Sequence, residues 1–297
     1  MKNLTRTLSL ALASVMLLGM MAIGSSAAFI DADEIVNKEA VEITAGLGLF
    51  AGTPDGSFNP KGTVTRAQMA TVIVKMLYGS DINADQFKGV GEFSDTASFE
   101  GGWAEGYINL CADQGVVSGY GDGTYKPGSS VTTAEAITMI LNALDVDAGE
   151  GLWPLTVMAK AEEMKLFSEL AVKPLTHDPL SRDQLAVLVL AGLEYSPSGV
   201  SGYRVSGMDI VFDSFSDAML ACRDTARITP VVGEDALINR VYGMKVSRGF
   251  ITSNQSAGEN VTVLTLNNGD EESFDVVTSK EMLGHYVSVY YKDHYKN

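Results

Sequence analysis

Apolar residues recur at helical spacing in several stretches before residue 195, and strand-like apolar runs follow. Positions three or four apart between residues 103 and 116 predict an amphipathic helix. Three further apolar stretches, at residues 72–77, 137–144 and 185–189, predict one helix each. The later runs predict strands at residues 208–212, 227–232, 241–246, 261–266 and 286–291, with a short helix at 213–223.

The helical part contains an internal repeat. Residues 47–71 align without a gap with residues 114–138, and nine of these 25 positions are identical. In a weaker third copy, Leu-Ser-Arg-Asp-Gln at residues 180–184 matches Val-Thr-Thr-Ala-Glu at residues 131–135, and its loop has Thr-His-Asp-Pro in place of an Asp-Gly turn. A helix–loop–helix copy cannot bury its apolar face alone, so we expect the three copies to pack around a shared helical core.

Each copy places a helix start at the same point. A hydroxyl residue is followed three positions later by Glu or Gln, which is the sequence signature of a capping box. The three predicted boxes are Thr65 with Gln68, Thr132 with Glu135, and Ser181 with Gln184. Aspartates in the two Asp-Gly loops, Asp55 and Asp122, fit turn formation better than calcium binding, because one acid is far short of a calcium loop.

The order of these motifs resembles the S-layer homology (SLH) domain. The second copy reads Trp-Ala, then Gly-Val-Val-x-Gly-x-Gly-Asp-Gly-x-Tyr-x-Pro, then Val-Thr-x-Ala-Glu, and the first copy has Thr-Arg-Ala-Gln at residues 65–68. The resemblance covers residues 29–195 and implies repeats at 29–80, 81–147 and 148–195. It implies a pseudo-threefold assembly that holds an exported protein on the bacterial wall. The implied partner is a peptidoglycan-linked secondary cell-wall polysaccharide, often carrying a pyruvate ketal.

The candidate ligand-binding residues lie at the helix starts. Arg66 and Arg182 follow the caps, where the helix dipole disfavours a cation unless an anion binds over the helix start. The resemblance implies that such an arginine contacts the anionic sugar. The alternative is that it solvates the helix start or pairs with a neighbouring acid. We expect Arg66 to be the better site, because Asp183 follows Arg182 and could neutralise it.

The remaining candidates extend this site in each copy. Thr133 replaces the arginine in the second copy, so we expect weak or no binding there. Trp103 and Trp153 could stack on sugar faces, although packing at a helix start explains them equally well. The cap residues Thr65, Gln68, Thr132, Glu135, Ser181 and Gln184 complete the predicted ligand-binding set.

Composition and charge narrow the classes of function. The formal net charge is −16, which argues against nucleic acid and against an anionic membrane surface. Residues 1–28 resemble an export signal, with a basic start, an apolar stretch and small residues before Phe29. We therefore expect a secreted cell-wall protein without membrane contact after signal removal. The three histidines are scattered, so we expect no metal site and no cofactor. The two distant cysteines, Cys111 and Cys222, are expected to be buried free thiols; an exported protein could join them in a disulfide, but their spacing gives that pairing no support.

Residues 196–204 are predicted to form a linker and residues 205–297 a small β-barrel or β-sandwich domain. The hairpin signal Asn-Asn-Gly at 267–269 supports this. The fold class is therefore α+β.

Two functions stay open. The first is a non-enzymatic wall-anchored display or lattice protein that self-associates in a surface layer. The second is a tethered enzyme or carbohydrate-binding module that acts through the β-domain. We favour the first, since no acid/base pair stands out.

Overall fold

The computed structural model describes residues 29–196, 200–205, 211–212, 228–232, 236–254, 261–276 and 278–292. The predicted export signal, the helix at 213–223 and Cys222 lie outside these residues. The described chain divides into two compact units, a helical one before residue 197 and a β-rich one after it. This arrangement is an α+β fold. Among the described residues, no helix is long and apolar enough to cross a membrane.

The helical unit contains six α-helices, two from each of the segments 29–80, 81–147 and 148–195, here called the first, second and third segments. Their bounds are α1 Lys38–Gly46, α2 Arg66–Tyr78, α3 Glu105–Asp113, α4 Thr133–Ala143, α5 Leu155–Glu163 and α6 Arg182–Glu194. All three predicted capping boxes are present at the starts of α2, α4 and α6. In each box the cap hydroxyl accepts from a backbone amide and the Glu or Gln oxygen accepts from the cap amide.

The second helices of the three segments form the centre of this unit. Helix α4 packs against both α2 and α6, and the outer helices follow in a cycle: α3 packs on α2, α5 on α4, and α1 on α6. Gly192 of α6 lies where these helices converge, because an added Cβ there would be 3.3 Å from Ile140 and 3.8 Å from Met76. The lack of a side chain at residue 192 therefore permits the close approach.

A ring of three backbone hydrogen bonds joins the segments just before the central helices. Val131 N–H donates to Val64 O (2.9 Å), Val64 N–H to Leu180 O (3.0 Å), and Leu180 N–H to Val131 O (3.2 Å). All three side chains are at most 1% exposed. Each segment thus uses its neighbours to satisfy backbone groups that burial would otherwise leave unpaired.

The loop before each central helix is held by a neighbouring segment in the same way. The first helical amide donates to a loop carbonyl of the adjacent segment: Arg66 N–H to Ser129 O, Thr133 N–H to Asp178 O, and Arg182 N–H to Gly62 O, all within 2.9 Å. The start of α2 therefore contacts the loop of the second segment, the start of α4 the loop of the third segment, and the start of α6 the loop of the first segment. Helix starts and loops thus alternate around the ring.

In its described residues, the β-rich unit contains two antiparallel sheets and one short α-helix. The strands are β1 Val200–Val205, β2 Val211–Phe212, β3 Ile228–Val232, β4 Lys245–Ser253, β5 Thr262–Leu266, β6 Glu271–Phe274 and β7 Tyr286–Tyr291, and α7 is Leu237–Arg240. The orders are β2-β1-β3 and β6-β5-β4-β7. The core of the second sheet is built on Ile251, Leu264, Phe274, Val287 and Val289.

Two sequence predictions for this unit need correction, and one is confirmed. The strand expected at 241–246 is wrong in position, because Val241 and Tyr242 form a turn after α7 and β4 begins at Lys245. Part of the expected linker is strand β1, whose backbone pairs with both β2 and β3. The predicted hairpin is present: β5 and β6 pair across a turn in which Gly269 has φ 85°.

Candidate functional site

Arg66 lies at the junction of the first two segments and is 6% exposed. Its Nε donates to Tyr125 O (2.9 Å) and its Nη2 to Ser118 O (3.0 Å). The guanidinium carbon lies 4.4 Å from the centre of the Tyr125 ring and 5.1 Å from that of Tyr120. The arginine therefore fastens the start of α2 to the second segment's loop through charge-assisted hydrogen bonds and cation–π contact.

A groove with a cavity of about 200 Å³ opens beside this arginine, and we call it the Arg66 groove. Its lining consists of Arg66, the loop residues Val116, Val117 and Ser118, the α4 residues Glu135, Thr138, Met139 and Asn142, and Trp153. The structure thus brings together three predicted site residues, Arg66, Glu135 and Trp153. The groove combines one cation, one acid, polar side chains and an aromatic wall, so it can offer a ligand both hydrogen bonds and an apolar surface.

The electrostatics of this groove are balanced. Glu135 Oε1 lies 3.5 Å from Arg66 Nη1, and its Oε2 accepts from the Thr132 amide (2.8 Å) and hydroxyl (2.9 Å). The interpretation of Arg66 as a partner of a neighbouring acid is therefore supported alongside the ligand interpretation. Glu135 thus serves the helix cap and opposes Arg66 at the same time, so the Arg66–Glu135 pair adds almost no net charge to the groove lining.

Trp153 forms the outer wall of the Arg66 groove. Its side chain is 53% exposed, and its Nε1–H donates to Thr138 Oγ1 (3.1 Å). The indole is fixed at one edge while much of its surface stays open to solvent. A tryptophan held in this way can stack on an apolar sugar face.

Arg182 repeats the geometry of Arg66 at the junction of the third and first segments. Its Nε donates to Phe58 O (2.7 Å) and its Nη2 to Ala51 O (2.8 Å). These acceptors lie 67 residues before those of Arg66, in the register of the sequence repeat. The guanidinium carbon is 4.8 Å from the Phe58 ring centre, and burial lowers the pKa of the arginine.

Asp183 does not neutralise Arg182 as the sequence suggested. Its buried carboxylate accepts hydrogen bonds from the backbone amide (3.1 Å) and the side-chain amide of Asn37. Asn37 is the residue before α1. Asp183 therefore ties the last central helix to the first outer helix, a contact that explains an acid where α2 and α4 have the small residues Ala67 and Ala134.

Thr133 occupies the arginine position at the junction of the second and third segments. Its hydroxyl and its backbone amide both donate to Asp178 O, at 3.1 and 2.9 Å. The junction thus keeps the shared backbone contact and has no guanidinium.

The remaining predicted site residues have other surroundings. Thr65 with Gln68, and Ser181 with Gln184, form helix caps. Trp103 is 38% exposed, and its Nε1–H donates to Glu100 Oε2 (3.0 Å).

Two aspartates that sequence reasoning missed hold the loops in shape. Asp31 accepts from the amides of Phe58 and Asn59, and Asp95 accepts from the amides of Tyr125 and Lys126, all within 2.9 Å. Each follows a phenylalanine by two residues, and this Phe-x-Asp pattern was the available signal. Tyr125 is buried, and its hydroxyl donates to Arg66 O (3.2 Å), so the aspartates also fix the aromatic ring under the arginine.

Other candidate groups have structural roles. Asp55 accepts from Thr53 and Ser57, which lowers the pKa of its exposed carboxyl to about 2, and Asp122 accepts from Thr124. The predicted turn role of both aspartates is confirmed. Burial raises the pKa of the Cys111 thiol to about 12. Within the described part of the chain, no group of three His, Cys, Asp or Glu side chains is placed to hold a metal ion.

Comparison with known protein families finds the S-layer homology domain at residues 28–70 and 92–137. These two matches fall in the first and second segments of the helical unit. It is 32% identical over 130 residues to the middle cell wall protein of Brevibacillus brevis, covering 43% of this chain and 12% of that protein.

Two further relatives have related names. A cell surface protein of Thermoanaerobacter kivui is 30% identical over 200 residues, covering 65% of this chain and 25% of the relative. A cellulosome-anchoring protein of Acetivibrio thermocellus is 34% identical over 113 residues, covering 36% of this chain and 23% of the relative. The aligned regions thus span a quarter or less of each of these three relatives.

Proposed function

We propose that this chain is a bacterial cell-surface protein that anchors itself non-covalently to the wall by binding an anionic, peptidoglycan-linked secondary polysaccharide. The observation that carries the proposal is the Arg66 groove, where a guanidinium and a half-exposed indole face one cavity of about 200 Å³ between neighbouring segments. A charged fork and an aromatic wall suit a sugar that bears a carboxylate.

The cyclic arrangement supports the same function for all three segments. The third segment shares the capping box, the ring hydrogen bond and the loop contact of the other two. We propose that it is a third SLH repeat and that the three form one pseudo-threefold anchor. The predicted site residues Arg66, Arg182, Trp103 and Trp153 then belong to two equivalent grooves, while the Thr133 junction lacks the arginine.

The test is sedimentation of the full chain with bacterial wall sacculi, before and after removal of the secondary polymer. Polymer-dependent binding that falls at least tenfold with Trp153→Ala would support the proposal. Leu155→Ala is the matched control, because Leu155 is 68% exposed on the same segment and does not line the groove. Equal binding to stripped sacculi, or an unchanged affinity of the Trp153→Ala variant, would overturn it.

The β-rich unit is proposed to serve surface display or lattice contacts, without enzymatic activity. A second candidate, carbohydrate binding by this unit, is favoured by one observation. Phe250 and Tyr286 pair across β4 and β7, with ring centres 5.1 Å apart, and are 50% and 39% exposed. Retention of the chain on immobilised polysaccharides, lost with Tyr286→Ala and kept with Trp153→Ala, would favour this candidate.

A further inference from the structure

The two edges of the second sheet differ in charge. Strand β6 lies at one edge and β7 at the other, and neither has a further neighbouring strand among the described residues. Strand β6 reads Glu-Glu-Ser-Phe and is flanked by Asp270 and Asp275, whereas β7 reads Tyr-Val-Ser-Val-Tyr-Tyr and contains no charged residue. Charged side chains on an edge strand hinder its pairing with another chain. The β7 edge is without that protection.

The backbone of β7 points alternately toward β4 and away from it. The Ile251 amide donates to His285 O (2.9 Å), and Ile251 O accepts from the Gly284 amide (2.8 Å), so both backbone groups of Ile251 face the β7 side. The register of β4 with β7 is continuous, and backbone direction alternates along each strand. The amides and carbonyls of Tyr286 and Ser288 therefore point away from β4.

The side chains of β7 alternate between the two faces of the sheet. Val287 is 1% exposed and belongs to the sheet core, so Tyr286 and Ser288 lie on the opposite face, where Tyr286 is 39% exposed. A second β7 placed antiparallel, with a two-fold axis at Val287, would set Tyr286 of each copy opposite Ser288 of the other. Each of these two pairs could exchange both of its backbone hydrogen bonds.

We propose that β7 pairs antiparallel with β7 of a second copy of this chain, through the backbone groups of Tyr286 and Ser288. The inference rests on the proposed lattice role of the β-rich unit and specifies its contact, but it needs no wall binding. Copies of a chain with a formal net charge of −16 repel one another, and an uncharged edge lets them approach with the least repulsion.

The symmetry of this contact limits the size of the assembly. A two-fold contact uses the same edge of both copies and is closed once it forms. The joined sheet then has the acidic β6 strands at both of its outer edges, where charge opposes further pairing. We therefore expect dimers rather than filaments from this contact.

The test is sedimentation velocity of the full chain over a range of concentrations. Ser288→Pro removes the outward amide, and an edge strand tolerates proline where the N–H faces away from the sheet. Ser273→Pro is the matched control on β6. The Leu266 amide donates to Asp270 O (2.8 Å), so by the same alternation the Ser273 amide faces away from β5. We expect dimers from the wild type and Ser273→Pro, and dimerisation about tenfold weaker from Ser288→Pro.

A charge-swap pair keeps the test decisive if proline disturbs the sheet. Ser288→Glu and Ser288→Lys each bring like charges together across the two-fold axis, so each variant alone should dimerise weakly. An equal mixture of the two should form mixed dimers, because opposite charges then face each other. A monomeric wild-type chain, equal dimerisation of the two proline variants, or no gain on mixing would overturn the proposal.

The sacculus experiment separates this inference from wall anchoring. A wild-type chain that stays monomeric but sediments with sacculi would overturn the pairing alone. Dimers that depend on Ser288 and persist without polymer-dependent sacculus binding would support the pairing and remove the anchoring function.

Discussion

The Arg66 and Thr133 junctions solve one structural problem with different side chains. Both donate the first helical amide to a loop carbonyl of the next segment, at 2.8 and 2.9 Å. Arg66 adds two guanidinium bonds and stacks on Tyr125, while Thr133 adds one hydroxyl bond to Asp178 O. Ring closure therefore does not need an arginine, and the guanidinium is available for a second role.

The largest effect should come from removing a buried side chain at the ring that joins the segments. Leu180→Ala removes a fully buried side chain at the ring and should cost about 3 kcal/mol of unfolding free energy. Leu175→Ala, on the same loop but 72% exposed, should stay within about 0.5 kcal/mol of the wild type. Chemical denaturation measures the unfolding free energy of both variants. Equal losses would show that the buried Leu180 side chain does not stabilise the ring.

The arginine junction should depend more on its side chain than the threonine junction does. Arg66→Ala leaves the carbonyls of Ser118 and Tyr125 without this donor and should cost about 2 kcal/mol. Thr133→Ala keeps its backbone bond and should cost about 1 kcal/mol. The same denaturation experiment shows which of the two substitutions costs more unfolding free energy. A negligible cost for Arg66→Ala would indicate an arginine kept for its ligand alone.

The smallest effect concerns the Asp-Gly turn, which the first two loops have and the third lacks. The pKa of Asp55 is lowered to about 2 from an ordinary 3.8, so its stabilising hydrogen bonds act fully above pH 4 and are lost as the pH falls through 2. The difference in Tm between the wild type and Asp55→Asn should therefore shrink between pH 4 and pH 2. Asp81→Asn serves as a surface control, and a pH-independent difference for Asp55→Asn would contradict the turn role.

Features whose residues lie close together in the sequence were predictable, and contacts between residues far apart in the sequence were not. The capping box of Thr65 and Gln68 was predictable because its whole signal lies within four residues. The partners of Arg66, by contrast, are Ser118 and Tyr125 of another segment, so neither its burial nor its stacking could be read locally. Asp31 and Asp95 were missed because they are 64 residues apart, outside the 67-residue register that revealed the repeat.

The β-rich unit shows the same dependence on range. Its hairpin at Asn267–Asn268–Gly269 was predictable because the turn dictates which residues pair. The start of β4 was misplaced since Val241 and Tyr242 extend an apolar run although they form a turn after α7. The residues that face one another in the groove could not be predicted, because they come from different segments. They meet only through the cyclic packing of the helices.

The ring of Val64, Val131 and Leu180 also has a consequence for the order of folding. A chain that emerges from its N-terminus presents the Val64 amide long before its acceptor, the Leu180 carbonyl, has emerged. Asn37 likewise waits for Asp183. The first two segments therefore emerge with unmet partners, and the helical unit closes when the last segment arrives. A chain cut before residue 180 would lack the third member of the ring and leave the apolar side chains of Val64 and Val131 less covered.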